Sequence, residues 1–229
     1  MNRVKRALKI RHIRHCCSGV ELPVMNSEAL VITIDQGTVS LVVYGETGRP
    51  MGTAFAFLKP TWLVTAKHVA FRKNALREDV PRSDLQICPY QRPIVPARIL
   101  FAHPEVDLAV LEVEAPVCSR PLYPAHHKIA SAAGLIFAGL SPSRATPAAH
   151  TVLFSRITGY ELEVRERHTL QEETVAFAAP ESEGGNSGGP ILGTIGSVVG
   201  VVIENFQRDD HLWARGTSIE PLVNHLEFR

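Results

Sequence analysis

Four glycines flank Ser187 in the stretch ESEGGNSGGPI, residues 181–191. Glycine weakens helices and strands alike, so a cluster of it implies a backbone that turns tightly or comes close to another group. Gly, Asn, Ser and Pro also dominate ordinary surface turns, so the stretch acquires chemical meaning only through partners elsewhere. A neutral hydroxyl is a poor nucleophile until a base takes its proton and a third group orients that base. Histidine is the usual base. Of the ten histidines, His68 in WLVTAKHVAF stands out, because it ends an apolar, strand-like run that would hold the imidazole at the edge of the core. Asp107 in HPEVDLAVLEV immediately precedes another apolar run and would be drawn partly into the core, where a carboxylate demands a partner. Taken alone, Asp107 also reads as a strand-initiating turn residue.

These residues need a scaffold, and the chain from Glu28 onward supplies short β-branched runs divided by Gly and Pro turns. ALVITID, TVSLVVYG, GTAFAFL, WLVTA, ARILFA and LAVLEVE read as strands. A Pro-rich and polar stretch interrupts them near Pro116–Lys128, and the pattern resumes with GLIFAGL, HTVLFSRITGYELEV, ETVAFAA and SVVGVVIEN. Only SIEPLVNHLEFR changes period, placing Leu222, Val223 and Leu226 at helical spacing with Pro221 near the start. The pattern predicts an all-β protein of two small antiparallel barrels with a cleft between them and a short C-terminal helix. The expected division is a basic N-terminal segment without fixed structure over 1–27, a first barrel over 28–115, a linker over 116–129 and a second barrel with the helix over 130–229. Phe55 and Trp62 are expected to fill the first barrel, with Trp213 flanking the second.

Composition sets bounds on partners. A chain of 229 residues with a formal net charge of +1 has no global field to gather nucleic acid or a membrane surface, and neither is expected as a partner. Cys16, Cys17, Cys88 and Cys118 are too few and too irregularly placed for a disulfide framework. Cys88 and Cys118 read as small buried hydrophobes. The basic N-terminus lacks the continuous apolar core of a secretory signal, and no later run is long enough to span a bilayer, so a cytoplasmic location is expected. Translation from Met25 is an alternative start. His12, His15, Cys16 and Cys17 lack the separated pairs that close a tetrahedral zinc site, so no metal is expected, nor any cofactor.

TAKHV, DLAVL and GNSGGP bring histidine, aspartate and serine in that chain order, and in this the sequence resembles the trypsin-like, or chymotrypsin-fold, serine peptidases. The resemblance spans about residues 28–229, with GNSGGP its most specific part. It leans toward the bacterial HtrA and glutamyl-endopeptidase groups, which also carry Asn before the serine and dispense with disulfides; no PDZ-sized extension follows. It implies two six-stranded antiparallel barrels of the chymotrypsin type, the first carrying histidine and acid and the second the serine. It further implies a serine endopeptidase with His68, Asp107 and Ser187 as its triad, acting on polypeptide substrates. The backbone N–H groups of Gly185 and Ser187 would form the oxyanion hole, which explains the glycines.

The resemblance places the substrate pocket at the segment before the serine and along GVVIEN, with Glu181, Ile203 and Asn205 as the candidate contacts. Glu181 stands where trypsin-like members pair an acid with Arg or Lys, so a basic residue before the scissile bond is expected. Glu183 and Glu204 compete for that role. Val202 and Ile203 occupy the place of the histidine used by glutamate-specific relatives. Asn186 offers no charge to a newly cut N-terminal ammonium, so activity is expected to be constitutive or controlled by a protein partner. Two rivals remain: a catalytically silent binding module of the same fold, and an α/β-hydrolase-type esterase through G-x-S-x-G. The elbow of the latter needs strand, serine, helix and further strand–helix units, whereas ILGTIGSVVGVVI after Ser187 reads as strand.

Overall fold

Short runs rich in β-branched and aromatic residues, divided by turns, pair here into antiparallel ladders, and the central ones, such as Ala54–Phe57, are buried on both faces. The computed structural model describes residues 11–15, 38–44, 49–89, 92–126, 129, 136–141, 151–157, 160–166, 170–179, 185–193 and 196–227. The strands are β1 (Arg11–His15), β2 (Val39–Tyr44), β3 (Arg49–Phe57), β4 (Lys59–Thr65), β5 (Phe71–Lys73), β6 (Asp79–Pro81), β7 (Leu85–Pro89), β8 (Val95–Pro96), β9 (Arg98–Ala102), β10 (Ala109–Glu112), β11 (Ile136–Ser141), β12 (Thr151–Arg156), β13 (Tyr160–Glu166), β14 (Gln171–Ala178), β15 (Pro190–Leu192), β16 (Val198–Arg208) and β17 (His211–Ser218). A one-turn helix, Lys67–Ala70, follows β4, and a second helix, Glu220–Glu227, follows β17.

Seven strands form one sheet in the order β8-β7-β2-β3-β4-β10-β9, and eight form another in the order β1-β13-β14-β17-β16-β15-β11-β12. β5 and β6 make a separate two-stranded ribbon. The protein is all-β with two antiparallel sheets and a C-terminal helix, as its sequence pattern predicts. The strand count exceeds six per sheet, partly because Arg11–His15, inside the basic N-terminal segment, pairs with Tyr160–Val164 at the edge of the second sheet. The ALVITID run, Cys16, Cys17 and Met25 lie outside the described residues.

Each sheet has its own apolar cluster: Val42, Leu63, Ile87 and Leu111 in the first, and Val175, Phe177, Ile191 and Val202 in the second. A third cluster joins them, with Phe55, Phe57, Val64 and Val110 meeting Leu192, Val198, Val201 and Leu222 of the helix. Phe55 and Phe57 meet edge to face at 6.0 Å, and burying one such ring contributes about 1.5–3 kcal/mol. Trp62 is half-buried, donating from Nε1 to Glu112 Oε1 at 3.4 Å under the Lys59 ammonium. Trp213 sits beside Phe206 with the Arg208 guanidinium over its ring.

The segment between the sheets is a strap. Val117, Cys118 and Leu122 are buried, Leu122 bridges Phe57 of the first sheet and Pro124 bridges Val198 of the second. The Leu122 amide donates to Ala56 O at 2.8 Å, and the Ala125 amide to Val198 O at 2.8 Å. The chain that crosses between the sheets therefore also fixes their relative position.

Candidate active site

The one-turn helix carries His68 outward because its neighbours Val69 and Ala70 are fully buried and face the first sheet's core. The His68 side chain is 48% exposed. Asp107 approaches from the loop between β9 and β10, and its backbone carbonyl accepts the Lys67 amide at 3.2 Å. Its carboxylate then grips His68 twice: Oδ2 lies 2.7 Å from Nδ1, and Oδ1 accepts the His68 amide at 2.9 Å. With the aspartate on Nδ1, Nε2 is the nitrogen left to face solvent. Burial pushes the Asp107 carboxyl up, but its hydrogen bond to the His68 ring, that ring's charge and the backbone amides of His68 and Lys67 together hold it below the ordinary aspartate value.

Ser187 arrives from the other sheet on a loop that docks into β3 and β4. The Thr53 amide donates to Ser187 O at 2.8 Å, and the Thr53 hydroxyl to Gly185 O at 2.8 Å. The Thr65 hydroxyl in turn donates to Thr53 O at 2.7 Å. Gly185 (φ 112°) and Gly188 (φ 92°) both adopt backbone conformations that other residues rarely take. A Cβ on Gly188 would stand 2.0 Å from Thr53 O and 2.3 Å from the Thr65 hydroxyl, so only a bare backbone fits against β3. On the far side, Gly188 N–H donates to Val202 O at 2.6 Å and Val202 N–H to Gly189 O at 2.8 Å, fastening the loop to β16.

The strand segment that receives the serine loop, β3–β4, runs directly into the helix carrying His68; Gly52 lies beneath both Ser187 O and Val69. The Ser187 hydroxyl donates to Ile203 O at 3.4 Å and makes no hydrogen bond to His68. Ile203 offers that carbonyl because it is the extra residue of a β-bulge between Val202 and Glu204, where the β16–β17 register shifts. The amides of Gly185 and Ser187 donate to no acceptor among the described residues.

Of the residues expected in a substrate pocket, Ile203 and Asn205 are half-buried on β16, and Asn205 stands opposite Ala214 of β17. Glu181 and Glu183 lie outside the described residues. Glu204 is exposed and ion-paired with Arg215, which also reaches Glu163 at 3.8 Å, so its charge is already engaged. Thr53 and Thr65 were missed from sequence; a threonine at a core-facing position of an apolar strand was the available signal, since both are fully buried. Among the described residues no group of three or more His, Cys, Asp or Glu is placed to hold a metal ion. Strand β15, not a helix, follows Ser187, which excludes the nucleophile elbow of an α/β-hydrolase.

The family model for the trypsin-like peptidase domain matches residues 42–201. Three solved structures share the fold. The Rv3671c protease from M. tuberculosis in its active form is 18% identical, with 90% of this chain and 86% of that chain covered and a TM-score of 0.64. The MamO protease domain from Magnetospirillum magneticum in its apo form is 16% identical, covering 85% of this chain and 98% of that one at a TM-score of 0.61. The HtrA-type protease AlgW with a tripeptide is 16% identical, covering 88% of this chain and 63% of that one at 0.61. No curated protein sequence matches the chain.

Proposed function

This chain belongs to the trypsin-like peptidase domain family, a family of serine endopeptidases, and on that premise we propose that it hydrolyses peptide bonds through His68, Asp107 and Ser187. The observation that carries the reading is the double grip of Asp107 on His68, which directs Nε2 outward beside the loop that holds Ser187. For the reaction the Ser187 hydroxyl must leave the Ile203 carbonyl and turn to that nitrogen. His68 Nε2 takes the hydroxyl proton as Oγ bonds to the carbonyl carbon, and Asp107 stabilises the imidazolium. The amides of Gly185 and Ser187 donate to the developing oxyanion. His68 returns the proton to the leaving amine, an acyl-enzyme remains, and water deprotonated by His68 releases the acid.

The substrate class is a polypeptide, in line with the tripeptide in the AlgW structure. From sequence position alone, Glu181 would select a basic side chain before the scissile bond; Ile203 and Asn205 would line the approach. A peptide library varied at that one position tests this part separately. The parking of Ser187 on Ile203 O is the single observation that favours the rival, a silent binding module or an enzyme awaiting a partner. Intact-mass detection of a fluorophosphonate adduct separates the readings. One adduct on wild type, lost in Ser187→Ala, is expected; folded wild type with no adduct refutes an assembled serine.

A further inference from the structure

The loop that delivers Asp107 runs from His103 to Leu108 between the paired ends of β9 and β10, where Ala102 stands opposite Ala109. The His103 amide closes it by donating to Leu108 O at 2.9 Å. Inside the loop, the amides of Glu105 and Val106 both end on His103 Nδ1, at 3.2 and 3.1 Å. Nδ1 accepts only through its lone pair, so the ring proton resides on Nε2. His103 is 6% exposed. Phe101 meets its ring edge-on at 6.2 Å, and His225 of the C-terminal helix, stacked on Phe101 at 4.0 Å, stands 6.1 Å away. The charged and titratable groups that face it are His225 from that helix, Glu172 from β14, Lys67 from the one-turn helix and Glu105 from its own loop. Nε2 of His225 is buried with no hydrogen-bond partner among the described residues.

We propose that His103 is a positioning residue for the reaction: as a neutral imidazole it holds the turn that aims Asp107 at His68, and a proton on Nδ1 releases that turn. The inference rests on the peptidase reading and adds to it an acid ionisation that no triad residue supplies. Protonation converts Nδ1 from acceptor to donor, so both amides then face an N–H and their bonds are lost together. Asp107 is the next residue after Val106, so its carboxylate moves with the released turn. Burial first, then His225 and Lys67, push His103 below the ordinary imidazole value, with Glu105 and Glu172 opposing. The neutral form is therefore the one present near neutral pH. A folded value below the ordinary ~6.5 means the unfolded chain takes the proton first. Stability is thus full above that pH, declines as pH falls beneath it and levels off below the folded value.

Two readouts test this, one independent of catalysis. Long-range 15N–1H NMR of the wild-type protein should show His103 as the Nε2–H tautomer, and the Glu105 and Val106 amides should lose exchange protection together as His103 protonates. An Nδ1–H tautomer, or amides that stay protected through that titration, overturns the proposal whether or not the protein cleaves anything. In peptide cleavage, the acid limb of wild-type kcat/KM should steepen from about tenfold to about a hundredfold per pH unit where His103 takes its proton. His103→Ala should lower kcat with KM little changed. His103→Asn should restore it, because an amide oxygen can accept two amides, as Asn74 Oδ1 does here from Leu76 and Glu78 at 2.9 Å each. The Asn variant should also keep the tenfold limb throughout; a hundredfold limb in that variant overturns the proposal. If neither variant folds, the wild-type spectra decide. Absence of cleavage beside the expected tautomer and exchange would sink the peptidase reading alone.

Discussion

Replacing Thr53 by valine keeps the side-chain volume and removes one hydroxyl, the donor to Gly185 O at 2.8 Å. The bonds from the Thr53 amide to Ser187 O and from Thr65 to Thr53 O use backbone atoms and survive. The change therefore isolates one link between the first sheet and the serine loop. Gly185 is only half-buried, so its carbonyl regains some solvation, and the net stability loss should be about 1 kcal/mol. For a chain this size that corresponds to a fall in Tm of roughly 2–4 °C. The catalytic loss should be larger. Without the hydroxyl, the Gly185–Asn186 peptide loses this link to β3, and Gly185, at φ 112°, has more freedom to turn its own amide away. Loss of one oxyanion donor raises the barrier by about 2.7–4 kcal/mol, a drop in kcat of roughly 10²–10³. Melting curves and steady-state kinetics on one cleaved peptide measure both, and the loss should fall on kcat with KM nearly unchanged. A variant that melts a few degrees lower yet turns over within threefold of wild type would refute the claim that Thr53 orients the oxyanion loop.

Gly188→Ala should be far more damaging than its size suggests. Its Cβ would meet Thr53 O at 2.0 Å and the Thr65 hydroxyl at 2.3 Å at a left-handed φ, so the loop must leave β3; denaturant titration should show a loss of several kcal/mol or no folded protein. Asp107→Asn should lower kcat by about 10⁴ through the wrong imidazole tautomer. Because the Asp107 carboxyl is held below its ordinary value, its contribution to stability is present above about pH 4 and is lost as pH falls through the folded value. The variant's stability profile should therefore be flatter than wild type in acid, and identical slopes there would contradict the assigned contact.

Short apolar, β-branched runs divided by turns made most strands legible, and Ala54–Phe57 of β3 and Leu63–Val64 of β4 are buried without a break. β17 was not legible. HLWARGTS buries Ala214, Gly216, Thr217 and Ser218, small residues demanded by its central place between β14 and β16, so apolar bulk is missing where burial is greatest. β1 was hidden for the opposite reason: an edge strand is held by backbone pairing with β13, which asks little of its side chains. At the site, residue types and order pointed to His68, Asp107 and Ser187. Two features lay outside what order can convey: the direction of the Ser187 hydroxyl, set by a one-residue bulge at Ile203, and the role of His103, set by which amides reach its ring.

Both features follow from a division of labour between non-directional and directional forces. The apolar cluster joining the two sheets, from Phe55 and Val64 to Leu192, Val201 and Leu222, resists separation but would tolerate small slides. Catalysis does not tolerate them, since a reacting hydroxyl and its base must meet within hydrogen-bond reach. Buried Thr53 and Thr65 supply the missing direction, because each bond fixes an angle as well as a distance. The polar residues inside this otherwise apolar contact therefore lie between β3–β4, which leads to His68, and the loop that carries Ser187. A core of the same volume built only from Val and Ala would keep the fold and lose the register of the site.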